Sequence, residues 1–305
     1  MVSLQAILAH NVSMRSSLSP GLVAVFVGAT SGIGAATLKA FSKDDIAECK
    51  TLNPAGEYIF IEADISLIRV IDEVCARIAA RETQLNILFL SQGIASLDRS
   101  KTSEGLNLLT SLTHYSRIRF TANLLPLLQR ASSLRRVVTV GAAGFEGPID
   151  TSDFEASRVP PVQVRGHMAS LMTFGIEALA QQAPSVAFIH DYPGTVDTPL
   201  TRKVMSGTRH APVDWMDPTE SGERHDEVPR LTSLDGDTGP SDPGVVRGMN
   251  GDVGSGFYAV GSDGECVSAE TLGFVDALRK AGMVNMVWKH TLGEFERIVR
   301  TAREG

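Results

Sequence analysis

A chain of 305 residues, 43% of them hydrophobic, is long enough for one large α/β domain and too apolar to stay disordered. Its formal net charge of −7, with no lysine/arginine cluster, argues against nucleic acid or an anionic membrane surface as partner. Cys49, Cys75 and Cys266 are too few and too widely spaced for a disulfide framework or a zinc site, so no metal is expected. No apolar run nears the ~18 residues of a membrane span, and residues 1–13 lack a basic start and a cleavage site; a soluble, cytoplasmic setting is the expectation.

The elements alternate along the chain. The apolar run 22–27 predicts a strand and 33–41 a helix. Residues 57–64, Glu-Tyr-Ile-Phe-Ile-Glu-Ala-Asp, read as a strand ending in an acid. Val70, Ile71, Val74 and Ile78 give 67–81 helical spacing, with Cys75 a small buried apolar residue. Residues 85–90 predict a short strand, followed by Ser91-Gln92-Gly93. A long helix is expected over 102–128, with Pro126 near its end. Residues 136–140 predict a strand that starts from a solvated Arg135-Arg136 pair and leads into Gly141-Ala142-Ala143-Gly144. A helix over 166–182 precedes a strand at 186–191, which stops at Tyr192-Pro193-Gly194. From 201 to 256 periodicity fades and Pro, Gly, Asp, Ser and Thr dominate, which reads as a surface segment or substrate lid. A last strand at 256–260 and helices at 271–281 and 286–302 close the chain.

Strands apolar on both faces and alternating with helices predict a parallel sheet covered on both sides. The expected fold is a doubly wound, Rossmann-like α/β sheet in one domain over residues 1–305. Its parts are a nucleotide-binding core (22–200), a lid (201–256) and a C-terminal strand with helices (257–305). The strand, turn and helix over 22–34 carry Gly28, Gly32 and Gly34. Glycines there allow a tight turn and let a pyrophosphate approach the free N–H groups at the helix start. The plain alternative is a glycine turn that only packs a helix on a sheet.

Taken in order, these segments resemble the short-chain dehydrogenase/reductase family from about residue 22 to 200. Val27-Gly28-Ala29-Thr30-Ser31-Gly32-Ile33-Gly34 is similar to the family's T-G-x-x-x-G-I-G turn, with Val27 where Thr is usual. Ala63-Asp64-Ile65-Ser66 resembles its acid-bearing turn after the third strand, and Ser91-Gln92-Gly93 stands where it has N-A-G. Arg136-Val-Val-Thr-Val140 resembles its fifth strand, and Tyr192-Pro193-Gly194-Thr195-Val196-Asp197-Thr198 its P-G-x-V-x-T loop. The resemblance implies hydride transfer with NADP or NAD at the strands' carboxyl ends. It implies cofactor contacts from Gly28, Thr30, Ser31, Gly32, Ile33, Gly34, Asp64, Gln92, Gly93, Pro193, Gly194, Val196 and Thr198. A small-molecule substrate and a homo-oligomer paired through the two long helices are also implied, and the subgroup resembles enzymes of fungal biosynthetic clusters.

The family's Asn-Ser-Tyr-Lys tetrad does not match. Thr113 falls in the asparagine slot, Ala142 in the serine slot, and Arg165 and Ala169 in the tyrosine and lysine slots. Between Phe41 and Tyr58 the chain is short by roughly one strand and a turn or two of helix, since a strand–helix unit takes around 25–30 residues. Either the second strand is absent or the sequence reflects a gene model that skips an exon. Without that strand, 57–62 must pair beside 22–27 or stay unpaired. Tyr192 is the candidate substitute acid, and alternation along a strand makes a His190–Tyr192 pair conceivable and an Asp191–Tyr192 pair not. Arg165 cannot be a base but could bind a substrate carboxylate or enolate, and His167 could titrate near neutral pH. For each, as for His114 and Tyr115, simple packing is the competing explanation. Two functions follow: an NAD(P)-dependent oxidoreductase acting on a small organic carbonyl or alcohol, or a non-redox protein (an isomerase, cyclisation template or cofactor-binding pseudoenzyme) on the same scaffold.

Overall fold

Strands form here because their residues are apolar on both faces and find a parallel neighbour. The computed structural model describes residues 21–42, 56–94, 96, 98–205, 216–218, 220–221, 248–251 and 256–304. Five parallel strands, β1 (Ala24–Val27), β2 (Ile87–Leu90), β3 (Arg136–Val140), β4 (Ala187–Asp191) and β5 (Phe257–Val260), lie side by side in chain order. Alternate residues feed two cores. Leu88, Leu90, Val137 and Phe188 belong to one, and Phe89, Val138, Ile189 and Tyr258 to the other.

The helices divide between these faces. Ile33 of α1 (Gly32–Ser42) packs on the second core. Ile68, Ile71 and Val74 of α2 (Ile68–Arg81) fill the first. The chain therefore changes face between β1 and β2, and such a change opens a crevice at the carboxyl ends of a doubly wound sheet. The first core is completed by α3 (Ser116–Arg130), α4 (Pro161–Gln182), α6 (Ala269–Lys280) and α7 (Met283–Glu304). A short helix, α5 (Pro199–Met205), follows the loop after β4. Two buried side chains tie loops to helix starts. Glu104 accepts from the Ile68 and Arg69 backbone N–H groups (2.6 and 3.1 Å), a cap that Leu67 cannot provide. Asn107 caps the helical turn at Leu108–Thr110.

Three expectations need correction. Residues 57–64 form no strand among the described residues; Ile61, Ala63 and Ile65 rest on the core while Ile59 and Phe60 are 52% and 60% exposed. Strand-forming residues need a paired, half-buried neighbour, and this segment has no strand partner among the described residues. β1 is consequently the edge of the described sheet. Arg136 is not solvated but 3% exposed, with its guanidinium turned onto the Leu134 carbonyl. The helix expected over 102–128 begins at Leu108 and passes through a π-helical turn, Ser111–Tyr115, before α3. Cys75 is buried as expected, and burial pushes its thiol up to about 12. The lid of 201–256 falls largely outside the described residues, and no described helix is long and apolar enough to cross a membrane.

Candidate functional site

Strand register assembles the site. Val27, Leu90, Thr139, His190 and Ala259 lie level across the five strands. Their followers Gly28, Ser91-Gln92, Gly141-Ala142 and Tyr192 therefore line one carboxyl edge.

The glycine turn is built for close approach. Gly28 has φ +81° and Gly32 φ +58°, a region that favours glycine. A Cβ on Gly28 would lie 2.6 Å from the Gln92 backbone nitrogen, and one on Gly34 2.5 Å from the Gly28 carbonyl oxygen. Helix α1 starts at Gly32, so the first N–H groups of that helix have no intrahelical acceptor, while Thr30 and Ser31 are exposed beside them. A Cβ on Gly32 would meet the Thr198 side chain at 3.3 Å, so the loop after β4 reaches the glycine turn. Thr198 is held by Thr201, whose hydroxyl donates to the Val196 carbonyl (2.6 Å). The turn thus packs so closely on the end of β2 and on itself that positions 28 and 34 admit no side chain.

Other expected cofactor residues are placed less directly. The Asp64 carboxylate accepts from the Ser66 N–H and hydroxyl (3.1 and 2.7 Å), a local turn at the start of α2. The Gln92 side chain points inward to the Ser116 hydroxyl (3.1 Å). Gly93 faces Thr113, whose methyl would lie 3.5 Å from an added Cβ. Thr113 thus stands in the π-helical turn against the end of β2, and such turns are frequent at functional sites.

Below this edge lies a polar network that the sequence did not disclose. The Ala142 N–H donates to His190 Nε2 (3.1 Å), which leaves His190 Nδ1–H facing the Thr173 hydroxyl (2.9 Å). Thr173 donates to Glu146 Oε1 (2.8 Å), and the Gly144 N–H donates to Glu146 Oε2 (2.8 Å). Burial, with the Arg117 charge adding to it, pulls His190 down to about 3, and burial pushes the Glu146 carboxyl up. His190 is thus neutral and engaged below the edge, so the conceivable His190–Tyr192 pair does not form. The loop bearing Ala142 is locked to β4 and α4.

Arg117 is the residue missed outright. Buried, it donates to the carbonyls of Val140 and Gln92 and clamps the ends of β3 and β2. Its Nε has no partner among the described residues, and burial pulls the guanidinium down to about 9. The available signal was an arginine one helical turn past Thr113, among Ile118, Phe120 and Leu124.

The catalytic candidates separate. His167 is a tether: Nδ1 accepts from the Asp150 N–H and Nε2 donates to the Phe154 carbonyl, both 3.2 Å, and burial lowers its basicity. His114 and Tyr115 pair with Thr291 (2.9 Å) and His290 (2.6 Å) of α7, away from the edge. Arg165 and Tyr192 do come together. The guanidinium of Arg165 lies 3.4 Å over the Phe145 ring and 5.2 Å from the Tyr192 ring, with those rings edge to face at 4.8 Å. The Tyr192 hydroxyl makes no hydrogen bond among the described residues. Ala169 is buried. No group of metal-binding side chains occurs among the described residues.

No family model matches the chain. An oxidoreductase from Emericella nidulans is 34% identical over 337 aligned positions, covering 95% of this chain and 97% of that protein. That alignment is longer than the 305-residue chain, so the relative has residues for which this chain has no counterpart. A short-chain dehydrogenase/reductase from Stachybotrys chartarum is 32% identical, covering 65% of this chain and 67% of its own length. Among solved structures, the Pseudomonas aeruginosa RhlG/NADP active-site complex matches with TM-score 0.51 and 18% identity, over 68% of this chain and 89% of that one, a likeness of fold.

Proposed function

Because the chain belongs to the short-chain dehydrogenase/reductase family, we propose that it is an NAD(P)-dependent oxidoreductase acting on a small organic carbonyl or alcohol in secondary-metabolite biosynthesis. The observation that carries this reading is the glycine turn, where added Cβ atoms at Gly28 and Gly34 would collide with backbone. The residues present fit the cofactor. Gly28, Thr30, Ser31, Gly32, Ile33 and Gly34 would hold its diphosphate at the free N–H groups of α1. Asp64, Gln92 and Gly93 would border the nucleoside ends, and Pro193, Gly194, Val196 and Thr198 the nicotinamide side. When bound, the nicotinamide supplies or accepts the hydride.

The chain's own residues would do the rest. Tyr192, its hydroxyl without a partner among the described residues, donates a proton to the carbonyl oxygen during reduction and takes it back during oxidation. The His190–Thr173–Glu146 network and Arg117 position the edge and touch no substrate. Orientation of the reactants contributes heavily to such a step even without the family's tetrad.

The test is turnover of a carbonyl panel with NADPH and NADH by wild type and Tyr192→Phe. The variant is expected to lose about 100-fold in kcat, the lower end of acid–base contributions, with cofactor affinity unchanged. An unchanged rate removes Tyr192 from the mechanism. The non-redox reading draws on the four slots filled by Thr113, Ala142, Arg165 and Ala169; it is favoured by saturable cofactor binding with no turnover of any carbonyl.

A further inference from the structure

We propose that Arg165 is the docking point for a carboxylate on the substrate, so that this enzyme acts on oxo- or hydroxy-acids. The assignment rests on the oxidoreductase reading for the identity of the pocket, and its test does not require turnover. The Arg165 guanidinium lies against the face of Phe145, 3.4 Å over its ring, and 5.2 Å from the Tyr192 ring. Stacking fixes the plane of the group and leaves its in-plane N–H donors available. Among the described residues it makes no ion pair and no hydrogen bond. The acid nearest in sequence to its platform, Glu146, is turned inward onto Thr173 and the Gly144 N–H and cannot neutralise it. The residue is exposed, in the first turns of α4, and it touches Tyr192 where the chain leaves β4. From Tyr192 the same loop runs to Thr198 at the glycine turn, six residues and at most about 20 Å away. A planar cation with a free donor edge, at the far end of the loop from the diphosphate turn, fits a planar two-oxygen anion. Carboxylate accepts from such a fork in bidentate fashion.

Isothermal titration with salicylate and with salicylamide distinguishes the anion from the rest of the molecule. Wild type, Arg165→Met and Arg165→Lys are each titrated, with and without saturating NADPH. Wild type is expected to bind salicylate at least tenfold more tightly than salicylamide. Arg165→Met should abolish that preference, and Arg165→Lys should keep only a small part of it, because an ammonium lacks the fork. NADPH fluorescence titration of the same variants is expected to be unchanged. Equal affinity for acid and amide, an acid preference that survives in Arg165→Met, or no salicylate binding up to millimolar concentrations would each overturn the assignment. If wild type binds salicylate selectively but no nucleotide, the carboxylate site stands and the redox reading falls.

Discussion

Substituting Gly28 by alanine probes the turn with a magnitude that the geometry sets. Its φ of +81° is one an alanine adopts at a cost of about 1–2 kcal/mol. The new methyl would lie 2.6 Å from the Gln92 nitrogen, 2.8 Å from its Cα and 3.0 Å from the Ser91 carbonyl carbon. All three are backbone atoms at the end of a central strand, so none swings aside as a side chain would. Overpacking of this kind costs about 1–3 kcal/mol. Together Gly28→Ala should lose about 2–5 kcal/mol, a large share of the ~5–15 kcal/mol typical of a folded protein. Relief requires the ends of β1 and β2 to part, so NADPH binding should weaken as well. Gly273→Ala is the control: it sits exposed in α6 with nothing within 4 Å of an added Cβ, and should gain about 0.5–1 kcal/mol. Urea unfolding followed by far-UV circular dichroism measures both. A Gly28→Ala midpoint equal to wild type would refute the close approach on which the site is built.

Other consequences can be measured in the same protein. His114 and His190 are both held near 3 mainly by burial. Unfolded, each titrates near 6.5, so the unfolded state binds more protons between about 3 and 6.5, and stability falls as pH falls through that window. Between pH 8 and 5 each contributes a loss of about 2 kcal/mol. Glu146, with its carboxyl pushed up by burial, works in the opposite sense above its unfolded value. The urea midpoint should therefore be lower at pH 5 than at pH 8, and equal midpoints would count against histidines that are buried neutral. Glu104→Ala uncaps α2 at Ile68 and Arg69 and should cost about 1–2 kcal/mol with an unchanged denaturant slope.

The parts of the fold legible in the sequence were those decided locally. The turn after β1, the apolar strands and the helical spacing of Val70, Ile71 and Val74 all depend on residues within a few positions. Residues 57–64 have the same strand-like composition, yet a strand also needs a neighbour, and that is not written in the segment itself. The site was half legible for the same reason. Glycine spacing gave the turn, and slot counting singled out Arg165, which the fold sets beside Tyr192. Arg117 and the His190–Thr173–Glu146 chain escaped because their partners lie 17 to 48 residues away in sequence. His190 alternates onto the same side as Tyr192 on paper, but β4 ends at Asp191, so the alternation does not carry past it. His167 looked titratable because its two backbone partners, Asp150 and Phe154, come from a loop that only the fold brings alongside.

Titrating the purified chain with NADPH and NADH, followed by nicotinamide fluorescence, tests most directly whether the 28–34 turn holds a dinucleotide. At least one nucleotide should bind saturably in the micromolar range, and Gly28→Ala should weaken it. No saturable binding of either nucleotide by the folded wild-type protein would contradict the account.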